Sequence, residues 1–559
     1  MIRNKKILCF LTAALFIIGT GCKKFLDVNE NLNNPTAVPV STLLTSSQRA
    51  IGNAMAMGSG LSNGLSVYMH QQTTREQSDG YGIRGDNFRV ENPWFGFYGA
   101  IADLDVIIEQ GTTEERFMYV GIAKILKAYS YSVMVDVWGD IPFSEFNQFK
   151  TGIRQPKFDD DAAIYPQLFT MIDDGIADMN NPILNPTVPG ADDLIYSGSK
   201  AKWIKAANTI KLKLYTQLRK VQNVTPQVTQ LLADPATLIN ANSESFLLPY
   251  GPLGATDDRN PGYGDYLASQ RGQLVSPWLY EIMKGYNPIF SGITDPRIPY
   301  YIFNQLGPNN TSTPNATEYR DGRFVSLYFG SLGPNRNGSQ QTASSLFGIY
   351  PVGGRFDDGL GTSSAGASSS SGTGAAPYRF ITYADRLYLE AELIQTGVLA
   401  GDAKPVFRKA MEASMSQVDY VITTYVKPSQ TVPVLGAQTS YLDAIIALYD
   451  AGSAEKKLEY IMTQKWLSSF GANVDQYTDY RRTGYPVLFD PRNPDMAPGG
   501  RVQPPINGNP TLAVQPSVPV ALSKNFAESL PWSQSELELN SNAPDVQKVP
   551  ENYKIFWKQ

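Results

Sequence analysis

The sequence predicts an all-α fold: helices in neighbouring pairs, interrupted by long loops. Three observations predict it. Apolar residues recur at helical spacing along residues 41–235 and again along 378–480. Between those blocks, from 245 to 377, Gly, Pro, Asn and Tyr displace the pattern, and 483–535 is loop-rich again. Finally, 559 residues with 42% hydrophobic and 18% charged side chains are ample for a large core and unlike a disordered chain. Residues 41–559 are read as one domain with two helical blocks flanking an irregular one.

The elements follow in order. Arg3, Lys5 and Lys6 precede the apolar stretch Ile7–Ile18, then Gly19, Thr20, Gly21 and Cys22. Residues 1–21 read as a secretory signal, too short to span a bilayer comfortably. A Cys straight after the cleavage point resembles a bacterial lipoprotein signal, in which that Cys becomes residue one and carries the lipid. Gly19 stands where such signals usually have leucine, and the alternative is a plain secreted protein. Cys9 leaves with the signal, so Cys22 becomes the only thiol, a liability in an oxidising compartment unless modified. Residues 22–40 are a polar tether. Ser41 is placed to cap a helix to Met57. Pro93 is placed in the first turn of a helix through Trp94, Phe97, Tyr98, Ile101, Leu104 and Ile108, ended by Gly111. Thr113 opens a long helix to Gly139, and Asp159 or Asp160 opens one to Met179. Trp203, Ala207, Ile210, Leu214 and Leu218 form the cleanest 3.6-residue stripe. Further helices are expected near Ile381–Thr396, Asp402–Thr424, Tyr441–Asp450 and Ser453–Phe470. The irregular block holds short β-like runs such as Phe324–Phe329 and a low-complexity loop at 359–377.

Composition excludes several chemistries. With two cysteines and one histidine, neither a Cys/His zinc cluster nor a disulfide framework is possible. The net charge of −5 becomes more negative once the basic signal is removed, so electrostatics make no case for nucleic acid. Phosphate-loop and HExxH motifs are absent from the sequence. The GxGxxG at Gly80–Gly85 lacks the preceding strand and following helix of a dinucleotide site, and reads as a tight loop presenting Tyr81 and Arg84. His70 reads as a structural or pocket histidine. Asp159–Asp161, Asp192–Asp193 and Asp357–Asp358 read as helix caps and solvated turns. Asp257, Asp258 and Asn260 could offer oxygens to Ca²⁺, but calcium-loop spacing is missing, and no metal or cofactor is expected.

Aromatic residues are the positive signal, at 11% of the chain. A sugar ring stacks its C–H face on an aromatic ring, and its hydroxyls need Asn, Asp, Gln or Arg. Three loop segments mix those types. They give the candidate ligand residues Tyr81, Arg84 and Asn87 in the first (81–88), with Trp94 one residue into the helix that follows it, Tyr263, Tyr266 and Arg271 in the second (263–271), and Trp278 and Tyr286 in the third (278–287).

A set of longer segments carries a resemblance: Cys22–Pro35; Trp94–Ile108; MetValAspValTrpGlyAspIleProPheSerGlu at 134–145; Trp203–Arg219, with Asn208, Lys211 and Lys213; ThrAspProArgIleProTyrTyr at 294–301; LysTrpLeuSerSerPhe through ArgArgThrGlyTyrPro at 465–486; and LeuProTrpSerGlnSerGluLeuGluLeuAsnSerAsn at 530–542. These resemble the SusD/RagB family of outer-membrane nutrient-binding lipoproteins of the Bacteroidetes, in its divergent branch rather than its starch-binding founder. Phe143 stands in place of that family's Tyr. The resemblance implies a tetratricopeptide-like helix-pair scaffold with a loop-rich ligand face, a lipid anchor on Cys22 in the outer membrane, and a SusC-like TonB-dependent transporter as partner. The lipoprotein would be a non-catalytic lid that captures oligosaccharide. The alternatives are a peptide-binding lid of RagB type and, more distantly, a surface glycoside hydrolase. Arg481 and Arg482 are expected to make buried or interface ion pairs.

Overall fold

Runs of apolar residues three and four apart close into thirteen helices of eight residues or more among the described residues. The computed structural model describes residues 38–558 apart from 76–79, 184–186, 269–270, 309–317, 334, 337, 339–340, 363–371, 491–492, 494–495, 497–517 and 523. The expected signal at 1–21, Cys22, most of the tether and the centre of the low-complexity loop lie outside them. The helices are α1 (Val40–Met55), α2 (Leu61–Tyr68), α3 (Phe88–Thr113), α4 (Phe117–Trp138), α5 (Asp161–Met179), α6 (Lys200–Leu218) and α7 (Thr225–Leu232) in the first block. Then come α8 (Pro277–Lys284), α9 (Tyr383–Gln395), α10 (Ala403–Val421), α11 (Thr439–Ala451), α12 (Ala454–Ser468) and α13 (Val474–Thr483). The strands are two to four residues long and form antiparallel pairs only. The fold is all-α, as the periodicity predicts.

Packing runs along the chain: α1 on α3, α3 on α4, α4 on α5, α5 on α6, and α9 on α10 and α12. Helix α6 also packs on α9, which joins the two blocks. The three-residue turn at 114–116, with Glu115 at φ +58°, makes α3 and α4 sequential neighbours. Helices α4 and α5 meet backbone to backbone: a Cβ on Gly121 would sit 2.5 Å from the Gly175 carbonyl oxygen, and one on Gly175 would sit 2.9 Å from that of Gly121. One contiguous apolar core runs from Val40 to Trp557.

Several starts differ from expectation. Helix α1 begins at Val40 behind Pro39, with no side-chain cap from Ser41. Helix α3 begins at Phe88, because Asn87 Oδ1 accepts the Arg89 N–H at 3.0 Å, and Pro93 falls inside the helix at the cost of one backbone bond. That helix runs past Gly111 to Thr113, and α4 starts at Phe117 rather than Thr113. Asp160 caps α5 by accepting the Ala163 N–H at 3.1 Å, and Ser453 caps α12. Of the β-like run, Phe324–Ser326 is strand.

Where α6, α9, α12 and α13 meet, a buried charge cluster replaces apolar packing. Glu392 receives Arg219 Nε at 2.9 Å and Arg482 Nη2 at 2.8 Å, and Asp479 pairs with Arg482 at 2.8 Å and with Lys465 at 2.7 Å. Burial pushes the Glu392 carboxyl up, but the two guanidinium groups outweigh it and hold it well below the usual carboxylate range. Arg482 is thus the expected ion-pair maker. Arg481 differs: it is buried but bonds carbonyls, those of Asp136, Glu528 (2.7 Å) and Tyr477 (3.1 Å), and lies over the Tyr477 ring at 3.8 Å.

Candidate functional site

Pairing of Gln72–Thr74 with Gln273–Val275 brings two of the three candidate loops together. The Arg75 N–H donates to the Gly272 carbonyl at 2.9 Å and that of Ser276 to Gln71 at 3.1 Å. There, however, the candidate side chains hold loops rather than form an open face. Tyr263 and Tyr266 are buried and stacked on each other at 4.8 Å and 4°. Their hydroxyls donate to the carbonyls of Gly372 (3.0 Å) and Phe347. Arg271 is buried and donates to the Gln341 carbonyl. Tyr286 is half-buried and shares Asp321 with Tyr280, at 2.8 and 2.6 Å. Trp278 is buried, with Nε1 donating to the Val487 carbonyl at 3.2 Å. Asn87 is the cap of α3.

The first loop behaves differently along its length. Tyr81 turns inward, its hydroxyl 2.8 Å from His70 Nε2 and its ring 4.9 Å from Phe329. Burial lowers the His70 pKa to about 3, so the imidazole is neutral at ordinary pH and serves as a structural histidine. Arg84 is exposed and pairs with Asp86 at 3.0 Å.

Two open cavities share the short helix Gln534–Leu539 as a wall, and the first of them takes in this loop. One, of about 270 Å³, is lined by Tyr81, Ile83, Arg84, Asp86, Lys524 and Gln534, among others. The other, of about 240 Å³, has Trp94 and Tyr98 in its lining, with Phe95, Phe149 and Leu539, and Asn147, Arg154, Gln155, Glu536 and Asn540 around them. Phe95 is 49% exposed and Phe149 64%, so both rings leave a face open to solvent. The buried Trp94 Nε1 has no hydrogen-bond partner. The polar groups are braced: Asn147 Nδ2 donates to Asp105 at 3.1 Å, Asn540 Nδ2 to the Pro156 carbonyl at 2.7 Å, and Glu91 of α3 takes Ser533 Oγ at 2.7 Å at the start of the shared helix. Open aromatic faces beside fixed amides and carboxylates suit a ligand with flat C–H faces and many hydroxyls. Both cavities fall below the ~300–1,000 Å³ of drug-sized sites, so each fits one unit of a longer ligand.

The sequence reading did not single out Phe95 and Phe149. Phase was the available signal. Phe95 lies off the stripe of Val90, Trp94, Phe97, Tyr98, Ile101 and Leu104 that α3 buries, and Phe149 sits in a polar loop between Gln148 and Lys150.

No helix among the described residues is long and apolar enough to cross a membrane. Among solved structures, the chain is similar to a SusD/RagB family protein of Bacteroides thetaiotaomicron, at 19% identity and a TM-score of 0.63 over 93% of this chain and 99% of that one. A chitin-binding SusD homologue from Flavobacterium johnsoniae matches at 18% identity and 0.62, over 92% and 98%. A SusD homologue from Bacteroides fragilis matches at 20% and 0.59, over 89% and 94%. No curated protein matches by sequence. The SusD-like family model, described as starch-binding and associating with the outer membrane, matches residues 32–504, and with that match over most of its length the chain belongs to the SusD-like family.

Proposed function

We propose that this protein is a non-catalytic glycan receptor of the outer membrane, anchored through lipid on Cys22. It captures an oligosaccharide and delivers it, as a lid, to a SusC-like TonB-dependent barrel transporter. The observation that carries the glycan reading is the pair of open rings, Phe95 and Phe149, on one cavity with Asn147, Gln155 and Asn540. The family's description as starch-binding and the chitin-binding structural relative support it.

Calorimetric titration with a panel of starch and chitin oligosaccharides tests the site. Phe95→Ala and Phe149→Ala should each weaken binding of the recognised glycan about five- to tenfold, near the ~1 kcal/mol of an aromatic contact, with the circular dichroism spectrum unchanged. Undiminished binding in both variants would remove the cavity from the reading, and hydrolysis of the glycan by the purified chain would remove the word non-catalytic. Affinity purification of the tagged chain from membranes in mild detergent tests the lid. A large β-barrel should co-purify; a lipid-free chain without one overturns both anchor and partner.

A further inference from the structure

A third cavity, of about 180 Å³, shares no lining residue with the two described above. It lies between α8 and α12, beside Pro486 and Val487. Its volume is again that of a monomer site. Its chemistry differs from that of the aromatic cavity in three respects.

The first is an idle hydroxyl. Thr463 on α12 is buried and its Oγ1 has no hydrogen-bond partner. A helical threonine normally gives its hydroxyl to the carbonyl four residues back. Thr209, Thr216 and Thr396 do so here, each at 2.8 Å. Thr463 does not, and it lines the cavity.

The second is a pair of opposite charges. Lys456 and Glu459, also on α12, line the same cavity with Nζ and Oε2 2.8 Å apart. A zwitterion matches such a pair, presenting one charge to each partner.

The third is an apolar wall without an open stacking face. Ile282, Ile289 and Trp278 supply it. Trp278 is 4% exposed, lies 5.9 Å from the Phe489 ring and has its Nε1 committed to Val487, so it offers an edge and not a platform.

We propose that this cavity binds a free α-amino acid with a branched apolar side chain. Lys456 takes the carboxylate, Glu459 the ammonium group, Thr463 the second carboxylate oxygen, and the side chain lies against Ile282 and Ile289.

The test is calorimetric titration of the full chain with L-leucine. Saturable binding is expected at millimolar concentration or below. Thr463→Val, which keeps the shape, and Lys456→Met, on the more exposed side of the pair, should each weaken it about tenfold. N-acetyl-leucine and leucinamide, each lacking one charge, should bind at least tenfold more weakly than leucine. Phe95→Ala should leave leucine binding unchanged while weakening the glycan, which separates this site from the first. Ile289→Trp, which fills the cavity, should abolish leucine binding alone. The proposal is overturned if leucine gives no saturable heat, if the two one-charge analogues bind as well as leucine, or if neither Thr463→Val nor Lys456→Met changes the affinity.

Discussion

Asp136 sits at the end of α4 with a hydrogen bond from each of three distant parts of the chain. Tyr165 Oη donates at 2.6 Å, Gln217 Nε2 at 2.8 Å and Trp557 Nε1 at 3.0 Å. Burial outweighs these bonds and the nearby Lys213, and pushes its pKa up to about 6. An unfolded aspartate titrates near 3.9, so between about pH 4 and 6 the folded state binds the extra proton. Stability from this group therefore falls as pH rises through that window and stays at its lower level above it. Asp136→Asn should flatten the slope of melting temperature against pH between 4 and 6 relative to the unaltered chain; an unchanged slope would refute the assignment. Glu392 poses the opposite problem, since neutralising it leaves Arg219 without its carboxylate and Arg482 with Asp479 alone in the interior. Glu392→Gln should cost about 3–5 kcal/mol in denaturant unfolding. At this scale the sequence was a partial guide. It named aromatic and amide side chains, but composition does not say which ring faces inward. Tyr263 and Tyr266 went to each other, and the open rings turned out to be Phe95 and Phe149.

At the scale of elements, α4 and α5 cross backbone to backbone at Gly121 and Gly175. Alanine favours a helix over glycine by about 1 kcal/mol, yet a methyl at Gly121 meets backbone that cannot move aside. Gly121→Ala should destabilise by about 1–3 kcal/mol net. Gly99→Ala on the exposed face of α3, where nothing lies within 4 Å, should be neutral or stabilising by up to about 1 kcal/mol. Paired denaturation curves decide between crowding and propensity. The long amphipathic helices were legible in sequence because their periods run for several turns; the expected stripe from Trp203 to Leu218 is α6. Helices α2, α7 and α8 escaped because eight residues give too little period to see. Helix α13 escaped because its buried set includes Gln476, Thr478, Asp479, Arg481 and Arg482, polar side chains that only tertiary partners can satisfy.

At the scale of the molecule, residues 524–558 act as a strap around the end of α4 and the turn that follows it. The Leu530 N–H donates to the Val137 carbonyl at 2.9 Å, Trp532 Nε1 to that of Asp140 at 2.9 Å, and the Phe556 N–H to Asp161 at 3.0 Å. The same strap walls both open cavities. Trp557→Ala removes a fully buried indole and one partner of Asp136, and should cost about 3–5 kcal/mol in denaturant unfolding. A loss below 1 kcal/mol would mean that the strap lies on the core without closing it.

The strap also sets an order in time. Asp136 and its indole donor are 421 positions apart. A ribosome makes the carboxylate long before it makes the tryptophan. Through that interval the Asp136 carboxylate lacks its indole donor. Closure of this end of α4 is therefore among the last contacts that synthesis allows the chain to make.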